Sequence, residues 1–388
     1  MSNFPPLLDM IEALVSAPSV SSANKSLDQG NNGVIEHLAN WLSDSEFQVE
    51  IMPLPGDRKK SNLIATLGSG TGGLVLSGHT DTVPWDEGKW KYDPFSLTRA
   101  DQRLYGLGTS DMKAFLALAM EASRDLRAKD LQEPLILLAT ADEETSMAGA
   151  KALVDRKLPR ARYAVIGEPT GLRPVRMHKG ILMEAIHLQG RSGHSSNPAL
   201  GNSALEAMYT VIGALKAWRN ELQVNHVNPN FVVPVPTLNL GHIHGGDNPN
   251  RICPECELHI DLRPLPGMDL RELRGELHQR VLSALRDSGI QVSFKPLFEG
   301  APAMETPASA AIVQLAEKLT GHSPEAVAFA TEAPYLNQLG METVVLGPGD
   351  IDQAHQPDEY LALDRLAPTV DILKQMVNTV CIRKDPLI

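Results

Sequence analysis

The sequence predicts an α/β fold: a larger domain with a mostly parallel central sheet covered by helices, interrupted by an inserted α+β sandwich domain. Three observations lead there. Short, almost uninterrupted apolar runs bounded by Gly, Pro or polar clusters recur through the first part of the chain, as expected of strands buried on both faces. Stretches with apolar residues at three- and four-residue steps lie between them. After Lys179 the texture changes to strand, helix, strand, strand, helix, with polar and apolar residues alternating in the strands.

In chain order, helical periodicity covers 6–15 and 33–42. Strand-like runs follow at 62–67, 73–77, 134–140 and 163–167, with helical patterns at 112–126 and 148–154 between them. This alternation is the pattern of strands layered with helices. From 181–188 the chain passes into a helix at 202–222, strands at 237–243 and 255–262, and a long helix at 270–287. Apolar β-runs return at 291–294 and 343–346, with helices at 309–319 and 365–380. The expected boundaries are therefore 1–179 and 291–388 for the larger domain and 180–290 for the insert.

Composition narrows the function. A chain of 388 residues with 43% apolar residues suffices for two cores. A formal net charge of −12 argues against nucleic acid and anionic membrane surfaces as partners. No apolar stretch approaches the roughly 18 residues of a membrane span, and Asp9 and Glu12 break the opening apolar run, unlike a signal peptide. Three cysteines do not make a disulfide framework, so the expected location is the cytoplasm.

Chemistry-bearing residues gather where the strand-like runs of the larger domain end, the place where open sheets collect ligands. GHTDTVP (78–84) follows the run LVLS and contains His79 and Asp81; a histidine there offers imidazole to a metal, or is a turn residue capped by a nearby acid. YGLGTSDMK (105–113) places Asp111 at a helix start, where a carboxylate is either an N-cap or a bridge between cations. ADEET (141–145) sets Asp142, Glu143 and Glu144 in a row after LILLAT, which is electrostatically unfavourable without a cation unless the loop is solvated. GEPT (167–170) carries Glu168, and QAHQPDE (353–359) carries His355 after TVVLGPG. Each alone reads at least as readily as an ordinary turn, cap or loop residue. Together, two imidazoles and three carboxylates suit a pair of zinc ions or similar metals.

These five segments, in this order, resemble the dizinc aminoacylase, carboxypeptidase and deacetylase group of metallopeptidases over essentially the whole chain. The resemblance implies a soluble amidohydrolase with His79, Asp111, Glu144, Glu168 and His355 as metal ligands, Asp111 bridging. It implies two zinc ions, with cobalt able to substitute. Glu143 corresponds to the general base, and Asp81 to the carboxylate that orients His79. The insert corresponds to a lid and dimerisation domain, so a homodimer is implied. Within it, His194 of GHSS (193–196) corresponds to a histidine reaching a neighbouring subunit's site, and Asn250 and Arg263 to residues meeting the substrate.

The implied substrate is an N-acyl amino acid. Leu107 stands where the family glycine motif usually carries Arg, and TEAPY (331–335) replaces an Asp-Ala-Arg-like stretch. With MHKG (177–180), these departures resemble the acetylornithine deacetylase branch. Succinyl-diaminopimelate, other acyl amino acids and dipeptides are alternatives that share the metal site, and a silent binding relative is a third. Cys253 and Cys256 form a C-x-x-C pair without a second pair, and His242 and His244 share a strand face without further ligands. Both read as structural.

Overall fold

In the computed structural model, which describes residues 4–382, the chain divides into two compact units. One contains the described residues up to Arg176, Thr306–Glu325 and those from Thr331 onward; the other contains Met177–Glu305 and Ala326–Ala330.

The first unit is built on a large mixed sheet. Its strands run in the order Gln48–Leu54, Asp57–Leu67, Leu135–Thr140, Leu74–His79, Tyr163–Ile166 and Glu342–Val345, and Val175 adds to the last. The four strands from Leu135–Thr140 to Glu342–Val345 are mutually parallel. Those before them pair antiparallel, as does Val175. The expected mostly parallel sheet is therefore parallel only at its centre. Gln48–Leu54 and Asp57–Leu67 are joined by a tight turn, and a turn that short permits only antiparallel pairing. Periodicity overlooked Gln48–Leu54 because most of its residues are exposed or half-buried. It also overlooked a small sheet of Thr98–Ala100, Arg103–Tyr105 and Tyr360–Ala362, whose strands are three residues each.

The central strands Leu74–His79, Leu135–Thr140 and Tyr163–Ile166 are buried at every position, which explains their almost unbroken apolar composition. Helix Lys113–Ser123 is buried on almost all sides and packs against helices Leu7–Ser16 and Leu366–Val377 and the strand Leu74–His79. Close approach of this helix depends on glycine. A Cβ on Gly167 would lie 2.0 Å from the Phe115 ring, and one on Gly78 would lie 2.9 Å from Met112 Cε. Register then sets His79 opposite Thr140, while Gly167 and Glu168 follow directly on Tyr163–Ile166. Three neighbouring parallel strands thus end side by side.

The second unit is a four-stranded antiparallel sheet, ordered Thr237–Gly245, Glu255–Arg263, Ile181–Gln189 and Gln291–Ala301. Helices Ala204–Asn225 and Leu270–Ala284 cover one face, burying Leu258, Ile260 and Leu262 among others. Ser203 and Asp269 cap the two helices by accepting from first-turn N–H groups. A buried acid of this sheet, Glu184, accepts from Arg274 Nε and His278 Nε2, both at 3.0 Å. The boundary predicted at 290 moves. Gln291–Ala301 pairs along Ile181–Gln189, so residues 291–305 belong to this unit, as do 326–330. Local periodicity identifies such a strand but not its hydrogen-bonding partner.

No helix among the described residues is long and apolar enough to cross a membrane. Because Gly167 has no room for a methyl group, Gly167→Ala is expected to destabilise the protein by about 1–3 kcal/mol through overpacking. Thermal denaturation measures this, and an unchanged melting temperature would refute the close approach.

Candidate metal centre

His79 terminates the strand Leu74–His79 with its ring 1% exposed. Its Nδ1 lies 2.9 Å from the main-chain oxygen of Asp81. A carbonyl only accepts, so Nδ1 carries the proton and Nε2 is turned toward Asp111 Oδ1 at 3.0 Å and Glu168 Oε2 at 3.9 Å. Burial acts to lower the His79 pKa, but the Asp111 hydrogen bond and the charges of Glu168, Asp111 and Glu143 hold it well above the usual imidazole range.

Asp111 lies just before helix Lys113–Ser123, in a glycine-rich turn. Helix capping does not account for it, because the residue at the N-cap is Met112, with no side-chain cap. Its two oxygens face different imidazoles: Oδ1 faces His79, and Oδ2 lies 3.5 Å from His355 Nε2. His355 Nε2 is also 3.2 Å from Glu144 Oε1. The hydrogen bond to Glu144 and the nearby carboxylates raise the His355 pKa to about 9.

The row of three acids is divided between two environments. Glu143 and Glu144 face the histidines. Asp142 turns away, at a positive φ of 62°, to an ion pair with Lys60 and hydrogen bonds from Ser21, Thr145 and Ser146. One of the three negative charges therefore has its cation within the protein. Asp81 also differs from its expected geometry. Its carbonyl holds the His79 ring, while its carboxylate accepts the N–H groups of Glu143 at 3.2 Å and Glu144 at 3.1 Å and lies 3.8 Å from Nδ1. Asp81 thereby links two strand ends.

Potential ligand atoms fall into two groups, each within 4.8 Å: His79 with Glu143 and Glu168, and His79 with Asp111 and Glu144. Burial, followed by neighbouring Glu168, drives the Glu143 pKa well above the carboxylate range. Burial does the same for Glu168, helped by Asp111 and opposed by His79. Glu332, within the TEAPY stretch, is 2% exposed. Its Oε2 accepts from Thr140 Oγ1 at 2.7 Å, its Oε1 has no hydrogen-bond partner, and burial raises its pKa to about 7. Buried carboxylates facing one another and two imidazoles fit divalent cations by donor chemistry, since positive charge offsets both the repulsion and the lost hydration. Imidazole and carboxylate donors together suit zinc and similar borderline metals.

The remaining expected residues lie in the second unit. His194 is exposed, its Nδ1 2.8 Å from Ser196 Oγ, and it bridges to Arg251. The loop of Asn250 meets the His194 loop where the Asn250 carbonyl accepts from Ser195 N–H at 3.0 Å. Arg263 ends its strand with Nε 2.9 Å from Asp261 Oδ1. Cys253, Cys256 and Cys381 are free and buried. Sequence reasoning did not single out Glu359 or Lys113. Both are buried polar residues within motifs already noted, and only their partners reveal them.

The chain is 49% identical to an acetylornithine deacetylase of Edwardsiella ictaluri (strain 93-146) over 98% of its own length and 100% of the relative's. Its fold resembles that of a metallo-carboxypeptidase from Sulfolobus solfataricus, with a TM-score of 0.75 at 17% identity, covering 96% and 99% of the two chains. It also resembles a dinuclear metal-binding peptidase from Bacillus subtilis, with a TM-score of 0.65 at 15% identity, covering 96% and 97%. Residues 75–379 match peptidase family M20/M25/M40, and the chain belongs to that family.

Proposed function

We propose that the protein hydrolyses the amide of an N-acyl amino acid, with N-acetylornithine, converted to ornithine and acetate, as the preferred substrate. The observation that carries the chemistry is Asp111, whose two oxygens face separate imidazoles with Glu143 alongside. The substrate rests on near-full-length similarity to a protein named acetylornithine deacetylase. The cations are read as two zinc ions, replaceable by cobalt, held by His79, Asp111, Glu144, Glu168 and His355. When bound, they supply positive charge that polarises the scissile carbonyl and makes water acidic enough to attack near neutral pH.

Glu143 is the group that accepts the proton of the attacking water and returns it to the departing amine. Its buried position alongside His79 and Glu168 places it where the attacking water would lie. His79 leaves Nε2 as the ring nitrogen open to a cation, because Nδ1 is committed to the Asp81 carbonyl. In the second unit, His194 is assigned to hydrogen bonding of the tetrahedral oxyanion, and Arg263 and Asn250 to the substrate carboxylate, for which a guanidinium is well shaped. By family resemblance that unit acts as a lid and joins two copies in a homodimer. A cytoplasmic location and a place in arginine biosynthesis follow from the same reading.

Glu143→Ala is expected to leave cation binding largely intact and to reduce turnover by about 10²–10⁴-fold. Metal analysis of the purified variant beside an amine-release assay tests this, and a variant as active as the native enzyme rules Glu143 out as the base. Chelation should abolish release of ornithine from N-acetylornithine and lower the melting temperature, because the carboxylates lose their counter-charge; zinc or cobalt should restore both. A panel containing succinyl-diaminopimelate, other acyl amino acids and dipeptides fixes the substrate. Faster turnover of another member moves the assignment while keeping the chemistry.

A further inference from the structure

We propose that Glu359 is a positioning residue that fixes Asp111 relative to His355, and so sets the cation affinity of the group formed by Asp111, Glu144 and His355. The inference rests on the metal reading above and goes beyond its ligand set. Glu359 is 1% exposed, too enclosed to meet a substrate, and lies in the segment that also carries His355. Its carboxylate is filled by main-chain donors from the Asp111 turn. Oε1 accepts the N–H groups of Ser110 at 2.7 Å, Asp111 at 3.0 Å and Gly108 at 3.1 Å, and Oε2 accepts Gly108 again at 3.2 Å.

The N–H groups of residues 108, 110 and 111 converging on one anion form a concavity with a definite backbone path. Gly108 makes that path possible. Its φ is +85°, and a Cβ there would sit 3.1 Å from both Lys113 and Thr82. An anion held by donors of residue 111 itself constrains where the Asp111 side chain begins.

The attachment extends along the segment. The Glu359 carbonyl accepts from Gly106 N–H at 3.0 Å, and the adjoining strand Tyr360–Ala362 pairs with Arg103–Tyr105. At the other end, Ser110 Oγ donates to the Asp350 carbonyl at 3.2 Å and accepts from Asp350 N–H at 3.0 Å. The stretch that carries His355 is thus fastened on both sides to the turn that carries Asp111. His79 and Glu168 stand on their own strand ends and need none of these bonds. That difference separates a positioning role from a general structural one: because Asp111 faces both imidazoles, loss of the Glu359 carboxylate should weaken both cations unequally, most strongly the one beside His355 and Glu144.

The test is titration of the metal-free protein with Co²⁺, followed by calorimetry and by visible absorption, for the native chain and Glu359→Gln. Glutamine keeps the shape and one acceptor oxygen but turns an NH₂ group toward the donors. The native protein should show two binding events. The variant should weaken one event by about 10–100-fold, the usual effect of removing a group that holds a ligand in place, and the other by a clearly smaller factor. Turnover should return as Co²⁺ is raised. Should Glu359→Gln fail to fold, Ser110→Ala removes the second fastening and should weaken the same event by a smaller factor. Two native-like events in the variant overturn the proposal, as does equal weakening of both with a lower melting temperature before metal is added. A native protein that binds no Co²⁺ overturns the metal reading itself, and this inference with it.

Discussion

Negative charge held out of water is the constraint on which the rest of this structure depends. Asp81, Asp111, Glu143, Glu168 and Glu332 are all nearly inaccessible, and most face one another across a few ångströms. Such an arrangement is tolerable only when each carboxylate has donors, a proton or a cation. The molecule uses all three. Main-chain N–H groups hold Glu359 and Asp81, Lys60 pairs with Asp142, and the raised pKa values of Glu143 and Glu168 mark what is left for cations to neutralise.

The fold makes that concentration possible without charging the core. Strands Leu74–His79, Leu135–Thr140 and Tyr163–Ile166 are buried throughout and mostly apolar, with Ser77, His79 and Thr140 toward the ends that meet. Parallel alignment is essential, because antiparallel neighbours would send His79 and the Glu143 loop to opposite edges. Helix Lys113–Ser123, lying against these strands with glycines beneath it, then brings Asp111 to the same edge. Apolar packing therefore determines electrostatics: where the helix can approach decides which carboxylates meet.

Support around the ligands is built mostly from backbone. The His79 ring is held by the Asp81 carbonyl, the Asp81 carboxylate by two N–H groups, and the Glu359 carboxylate by the turn before helix Lys113–Ser123. Backbone groups do not change rotamer, so they hold a site more firmly than a network of flexible side chains. His355, at a positive φ of 59°, is a non-glycine residue in a left-handed conformation, of the kind that persists where surrounding structure determines it.

By itself the sequence determined the kind of chemistry and the order of its parts. Apolar runs ending in His79, the Glu143–Glu144 pair and Glu168 are local patterns, and local patterns survive in one dimension. It also showed the change of texture near residue 180, since strand alternation is local too. Partnerships between distant segments were decided only by tertiary structure. The pairing of Gln291–Ala301 with Ile181–Gln189, the capture of Asp142 by Lys60 and the grip of Glu359 on the Asp111 turn join residues far apart in the chain. Nothing in the neighbourhood of Asp142 marked it as different from Glu143, because the difference lies in Lys60, more than eighty positions earlier. Periodicity reports which face of an element is apolar; only the packed fold reports what that face, or the charge beside it, comes to touch.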